Sequence, residues 1–222
     1  MVTARESRAA LELVSTAAVA TTSRLLVSLS GSPELQRAAL LEAVPEIIAY
    51  YSEGSAALAV DFYDEERLRA GVTSSFATEF VVADRTVAIR RGVVWGADPL
   101  FEGDVETANS RLAEVVQLES ARPYRDTILG NQKRDPAAVG WRRIANPGAC
   151  KFCVMVASKG AIYKRDTATF AAHGGCHCSA QPVFGPNEYG PEATALQYTA
   201  SKRRRTPAEK QALREYLNGV PD

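Results

Sequence analysis

The chain has 222 residues, of which 46% are hydrophobic and 23% are charged, and its formal net charge is zero. This composition argues against intrinsic disorder and suffices for one large domain or two small ones with a buried core. No apolar run approaches eighteen residues, and the N-terminus MVTARESRAALELV lacks the regions of a secretory signal. We therefore expect synthesis in a reducing cytosol and no membrane partner.

The zero net charge conceals an asymmetry along the chain. Residues 1–121 carry ten basic and eighteen acidic side chains, whereas residues 122–165 carry ten basic and two acidic ones. The remaining tail is balanced but contains four consecutive bases at 202–205. A basic segment of this kind favours contact with nucleic acid or another polyanion. The alternative is that the two halves neutralise each other within the fold.

The first 30 residues predict an amphipathic helix. Its apolar face is formed by residues at helical spacing, namely Leu11, Val14, Ala18, Leu25 and Leu29.

A second helix is predicted after the stretch GSPEL. Ser32 is its expected N-cap and Pro33 its first helical residue, and Pro45 is expected to kink or divide it. We expect a third helix to open near Ser55 and to end at Gly71.

Residues 76–101 are rich in β-branched side chains, but a helix interrupted by glycine is the favoured interpretation. Asp104 is then the predicted cap of an amphipathic helix. The residues expected to face inward on this helix are Val105, Ala108, Leu112, Val115 and Val116. After residue 121 Gly, Pro and Asn become frequent and bases dominate, which places a domain boundary there.

All four cysteines and both histidines lie in one stretch, GACKFCVMVASKGAIYKRDTATFAAHGGCHC, residues 148–178. A C-x2-C pair is followed, after nineteen residues, by H-x2-C-x-C. Two ligand pairs at this spacing are typical of a structural, four-coordinate zinc site. The first-choice ligands are Cys150, Cys153 and His173, and the fourth is Cys176 or Cys178.

The residues around the predicted ligands fit such a site. Gly174 and Gly175 would let the backbone turn so that His173 and a following thiolate face one point, while His177 points away. A site with three thiolates and one imidazole carries a net negative charge, which nearby bases would offset. These bases are Lys151, Lys159, Lys164 and Arg165.

Two other interpretations of the cluster compete with a metal site. Cross-paired disulfides between the two cysteine pairs are possible, but a cytosolic chain disfavours them. A thiol enzyme needs a lone activated cysteine beside a base, which four clustered cysteines fit poorly. The sequence has no H-E-x-x-H and no Walker motif, so we expect no catalytic residue.

Around the cluster the sequence predicts a short helix in CVMVAS and strands in AIY and QPVF, with Pro182 requiring an edge position. The predicted fold is mainly α. A helical, acidic region over 1–121 precedes a basic, zinc-stapled α+β domain over 122–190 and a basic tail over 191–222. The tail contains a helix capped by Thr206.

The run GWRRIANPGACKFCVMVASKGAIYKRD, with the later HGGCHCSAQPVFG, resembles the MuF-like minor head proteins of tailed bacteriophages. That family has a C-x2-C, then A-S-[RK]-G-x-x-Y, then H-x-x-C-x-C and a Pro-Val segment. The upstream SAALAVDFYDEERLRA and ADPLF are similar to the actinobacteriophage branch. The resemblance spans roughly residues 45–190 and carries zinc binding over to Cys150, Cys153, His173, Cys176 and Cys178. Relatives often have Pro or Asp after the histidine, where this chain has glycine.

The resemblance implies a non-enzymatic virion component made in the host cytoplasm. It would lie in multiple copies at the capsid interior or portal vertex and would aid head assembly and DNA packaging or delivery. The implied partners are the portal or the major capsid protein, and packaged double-stranded DNA. The alternative is a capsid maturation protease. A third hypothesis, a zinc-finger regulator, lacks a base-reading helix beside the cysteines.

Overall fold

The computed structural model describes residues 2–146, 148–149, 151–158, 163–164, 170, 172, 174–185 and six positions between 206 and 215. The prediction of a mainly α fold is confirmed. The described elements, in chain order, are α1 (Ala4–Ser28), α2 (Pro33–Arg69), α3 (Thr86–Ala97), a 3-10 turn (Asp98–Glu102), α4 (Val105–Arg134), β1 (Gly140–Ile144), α5 (Lys151–Ser158), β2 (Tyr163–Lys164) and β3 (Ser179–Val183). The predicted C-terminal helix lies largely outside the described residues.

Helix α1 packs against α2 and α4, and of its predicted apolar face Leu11 and Ala18 are buried, whereas Val14, Leu25 and Leu29 are half-buried. Leu26 is also buried, and Thr3 begins the helix with a reciprocal capping box to Glu6. Among the described helices, α1 is long and apolar enough to cross a membrane by length and composition. Core helices pass the same test, and its packing on α2 and α4 accounts for the apolar stripe.

Helix α2 is one continuous helix of 37 residues, so the predicted break near Ser55 is wrong. Ser55 is fully buried, and its Oγ donates a hydrogen bond of 2.6 Å to the carbonyl of Ser120 on α4. The hydroxyl thus joins two helices instead of capping one. The predicted end is confirmed, because Ala70 caps the helix and Gly71 has a positive φ of 70°.

Pro45 does not divide α2. The carbonyl group that loses its helical hydrogen bond at this proline accepts one from a side chain of α3 instead. A proline cannot donate to the carbonyl four residues earlier, which here belongs to Leu41. Arg90 Nη1 on α3 donates to that carbonyl at 3.0 Å. The proline therefore becomes a point of contact between α2 and α3.

The predicted helix over 76–101 is correct for α3 and wrong for the residues before it. Residues 79–81 run extended along α4, where Asn131 bonds both the N–H and the carbonyl of Glu79, at 3.0 and 2.8 Å. Thr127 Oγ1 accepts from the Val81 N–H at 3.0 Å. Side chains of α4 thus bond backbone groups that a neighbouring strand would bond in a sheet.

Helix α4 begins at the predicted cap, since Asp104 accepts from the Thr107 N–H at 2.9 Å. Ala108, Leu112 and Val116 face the core as expected, but Val105 is exposed because it is the first residue of the helix. Residue 121 lies inside α4, so a continuous helix runs through the predicted domain boundary. The division of the chain into domains stays a prediction.

The three described strands form an antiparallel sheet in the order β2-β1-β3. Pro182 lies on β3, at an edge as predicted, opposite Trp141 on the central strand. Trp141 is 1% exposed and belongs to the same apolar core as Tyr63 of α2 and Tyr124 of α4. The sheet thus shares a core with the helices and is fixed against the second half of α4.

Several of the basic side chains in residues 122–143 make contacts with other residues of the same chain. Arg122 pairs with Glu119, Arg134 pairs with Glu79, and Arg142 donates to Gln181 at 2.7 Å. A longer-range pair is buried where α2 meets the end of α4, between Arg67 and Asp135. The pairs Arg122–Glu119 and Arg134–Glu79 join bases of this segment to acids of residues 1–121, which agrees with neutralisation of charge within the fold.

Candidate metal centre

Two parts of the chain that are distant in sequence bring three cysteines together. Cys153 lies in the first turn of α5, and Cys176 and Cys178 directly precede β3. β3 pairs along its length with β1, whose C-terminal end leads towards α5. The sheet therefore fixes the C-x-C segment beside the helix that carries Cys153.

The geometry of the three sulfurs fits a tetrahedral metal ion. All three Sγ atoms lie within 4.8 Å of one another, and those of Cys153 and Cys176 are 3.9 Å apart. Zinc–sulfur bonds of about 2.3 Å at tetrahedral angles require sulfur–sulfur distances of about 3.8 Å. A disulfide needs about 2.05 Å, so Cys153 and Cys176 are not joined covalently.

The cluster is enclosed by apolar side chains. The exposed fractions of Cys153, Cys176 and Cys178 are 1, 2 and 1%. The hydrophobic residues packed against it are Ala145, Ala149, Phe152, Phe170 and Ala172, and Asn146 Oδ1 lies 3.8 Å from the Cys178 sulfur. Such a shell excludes water and strengthens the attraction between thiolates and a cation.

Hydrogen bonds among the thiols favour one thiolate. Those that Cys176 accepts from Cys153 and Cys178 hold the pKa of Cys176 well below its usual range, and Arg125 lowers it further. The hydrogen bond between Cys153 and Cys176 raises the pKa of Cys153. A bound cation would displace the protons that remain on the other two sulfurs.

Arg125 and Gln117 on α4 hold the backbone of the C-x-C segment. Arg125 Nη2 and Nε donate to the carbonyls of Cys176 and Cys178 at 2.8 and 3.1 Å, and Gln117 Nε2 donates to the Cys176 carbonyl at 2.8 Å. Both side chains are buried, and burial lowers the pKa of the Arg125 guanidinium. Two residues of a long helix thus fix where two sulfurs lie.

Phe170 links this shell to the main core. Its ring centroid lies 5.6 Å from that of Trp141, and the guanidinium carbons of Arg143 and Arg125 lie 3.8 and 5.1 Å from it. Both cations face the aromatic ring, a favourable arrangement when the groups are shielded from water. The positive charge that offsets the thiolates therefore includes buried arginines as well as any nearby lysines.

Sequence reasoning did not find Arg125, Gln117 or Arg143. Arg125 and Gln117 are eight residues apart on α4 and so lie on one helix face, which was the available signal. An arginine in a basic segment is ordinarily exposed, however, and nothing local marks this one as buried.

The structure places three of the five predicted ligands at one point. The sequence left open whether Cys176 or Cys178 is the fourth ligand. In the structure the sulfurs of both lie within 4.8 Å of the Cys153 sulfur, so both are candidate ligands. Cys150 and His173 lie outside the described residues. His177 points away as expected, because its ring lines a cavity beside α1 and α4.

Comparison with known proteins adds a family. A family model described as VG15 protein matches residues 2–201, and the family consists of viral, phage-encoded proteins. No curated protein and no solved structure matches the chain. The matched range includes both the helical part and the cysteine cluster.

Proposed function

The chain belongs to the VG15 protein family, and on that premise we propose that it is a minor capsid protein of a tailed bacteriophage. It acts as a non-enzymatic component of the head, of MuF-like type and near the actinobacteriophage branch. The observation that supports this best is the convergence of Cys153, Cys176 and Cys178, because the MuF-like resemblance rests on their motif.

The metal in this proposal is a structural zinc ion. Catalytic zinc needs an open coordination position for water or substrate, whereas structural zinc is closed by four protein ligands. The three described cysteines are almost fully buried and pack against several apolar side chains, which favours a closed site over an open one. Cys150 and His173 are the candidates for the fourth ligand.

The charge distribution suggests how such a protein would be used. The acidic helical region would dock on the portal or the major capsid protein, in several copies at the portal vertex or capsid interior. Because most of the arginines in residues 122–143 make internal contacts, DNA contact would depend on the basic run at 202–205. That run lies outside the described residues.

The test of this function is the composition of phage particles. We expect mass spectrometry to detect the chain in mature heads and in heads emptied of DNA, cross-linked to portal or capsid protein, and not in separated tails. The purified chain should bind duplex DNA with an affinity that falls steeply with salt. Neutralising residues 202–205 should remove that binding.

Absence from purified heads would overturn the proposal. The protease alternative makes a different prediction, namely shortened major capsid protein after co-expression with this chain. We expect the capsid protein to keep its full length.

A further inference from the structure

Helix α3 is apolar on both its inner and its outer side. The inner side buries Ile89, Val93 and Ala97 against α2 and α4. The outer side carries Val87 and Val94, which are 64 and 38% exposed. The outer side of a surface helix is ordinarily polar, so an apolar outer side indicates a surface that a partner covers.

The outer side of α3 forms a groove with α2. The groove has a volume of about 410 Å³ and is lined by Leu41 of α2 and by Val87, Arg90, Arg91 and Val94 of α3. Three of these side chains are apolar and two are cations. Val87 and Val94 are seven residues apart, about 10 Å along the axis, so the groove follows α3 for two turns. A groove of this shape can receive the side chains of another helix.

The groove is positively charged, although it lies in the acidic half of the chain. Helix α3 contains no acidic residue, and within the part of the chain that the structure describes no carboxylate lines the groove. Arg90 Nη1 donates to the Leu41 carbonyl, and Arg90 also borders a neighbouring cavity that contains Glu42 and Glu46. Arg91 is exposed and forms no hydrogen bond or ion pair with any described residue. Arg91 is therefore the cation that is free to pair with a partner.

We propose that this groove docks an amphipathic helix of a partner protein, whose apolar side is flanked by carboxylates. Its apolar side chains contact Leu41, Val87 and Val94, and a carboxylate pairs with Arg91. A second copy using the same groove would bring like charges together. A lipid surface is contacted by a protruding apolar face and not by a groove, and duplex DNA would leave the apolar walls in water. The inference rests on this surface alone and goes beyond the proposed head function.

Trp95 provides a probe of whether the groove is occupied. It follows Val94 on the outer side of α3, is 42% exposed, and has the Arg111 guanidinium carbon 5.1 Å from its ring centroid. The chain has two tryptophans, and the other, Trp141, is 1% exposed in the main core. One indole N–H signal in an NMR spectrum therefore belongs to the docking surface, and the other belongs to the core.

The experiment titrates the full chain, purified without chelator and carrying isotope-labelled tryptophan, with a synthetic helical peptide of about 20 residues. The peptide has leucines along one side, glutamates beside them, and alanine and glutamine elsewhere. We expect saturable binding of one peptide per chain, which shifts the Trp95 signal and leaves the Trp141 signal in place. A peptide with lysine for glutamate, and one with the acidic sequence scrambled, should each bind at least about tenfold more weakly.

Substitutions in the groove test the apolar contact and the charge separately. Val94→Ser and Arg91→Glu should each weaken binding of the acidic peptide about tenfold, because the first removes apolar area and the second reverses a charge. Both side chains are exposed, so both variants should keep the unfolding midpoint of the unchanged protein. The matched controls are Val27→Ser and Arg24→Glu on the exposed side of α1, which should bind the peptide as the unchanged protein does.

The proposal would be overturned by a lack of saturable binding, by equal binding of the lysine peptide, or by unchanged binding in both groove variants. Three further measurements test the other occupants. Self-association that Val94→Ser abolishes would assign the groove to a second copy. Binding to anionic vesicles or to duplex DNA that Arg91→Glu abolishes would assign it to a lipid surface or to nucleic acid, and each of these results would overturn the proposal.

Discussion

Replacing Arg125 with methionine is expected to lower the free energy of unfolding by about 3 kcal/mol and to weaken metal binding 10–100-fold. The substitution removes the Arg125 donors to the carbonyls of Cys176 and Cys178. Gln117 still donates to the Cys176 carbonyl, but the Cys178 carbonyl loses the donor that Arg125 supplied. The C-x-C segment then loses its fixed position on α4. Urea unfolding and competition with a chromogenic chelator measure the two effects.

A neighbouring arginine provides the control. Arg122 is partly exposed and pairs with Glu119, so Arg122→Met should cost no more than about 1 kcal/mol and should leave metal affinity unchanged. Arg125→Lys should restore only part of the loss, because an ammonium lacks the planar fork that bonds two carbonyls. Equal metal affinity in Arg125→Met and the unchanged protein would contradict a positioning role.

Replacing Asp135 with asparagine is expected to cost about 3–5 kcal/mol of unfolding free energy. Asp135 is fully buried at the end of α4, pairs with Arg67, and accepts from Tyr63 Oη at 3.2 Å and from the Ala137 N–H at 3.0 Å. Asparagine can keep the bond from Ala137 but leaves the buried Arg67 charge without a counter-ion. Denaturant unfolding followed by circular dichroism measures the change.

The matched control for this pair is Asp98→Asn, since Asp98 is 56% exposed and lies 3.9 Å from Arg37. Its cost should stay below about 1 kcal/mol. Arg67→Met combined with Asp135→Leu should recover much of the lost stability, because a neutral apolar pair leaves no buried charge. Equal costs for the two single aspartate variants would refute the importance assigned to burial.

The sequence predicted the features that depend on local chemistry. Asp104 caps α4 and Gly71 follows the end of α2, because a side-chain acceptor and a positive φ act within a few residues. Pro182 lies on an edge strand because it cannot donate to a second neighbour. The convergence of Cys153 and Cys176, 23 residues apart in the chain, was instead predicted from the spacing at which zinc-ligand pairs recur.

The features that failed depend on contacts between distant segments. Ser55 has the composition of a cap, but the carbonyl of Ser120 on another helix gives it a different role. The central strand β1, with the sequence GWRRI, was not predicted at all. Arg143 is 4% exposed, because the Phe170 ring covers it. No local pattern contains that information.

The most direct test of the account is the metal content of the full chain, purified without chelator, beside that of Cys176→Ser. We expect about one zinc ion per chain in the unchanged protein and less than about a tenth of that in the variant, because the proposed cation would join α5 to the C-x-C segment through this sulfur. Removing the metal should also lower the free energy of unfolding. A chain that contains no metal while its thiols are reduced, and that unfolds identically before and after prolonged EDTA, would contradict the account.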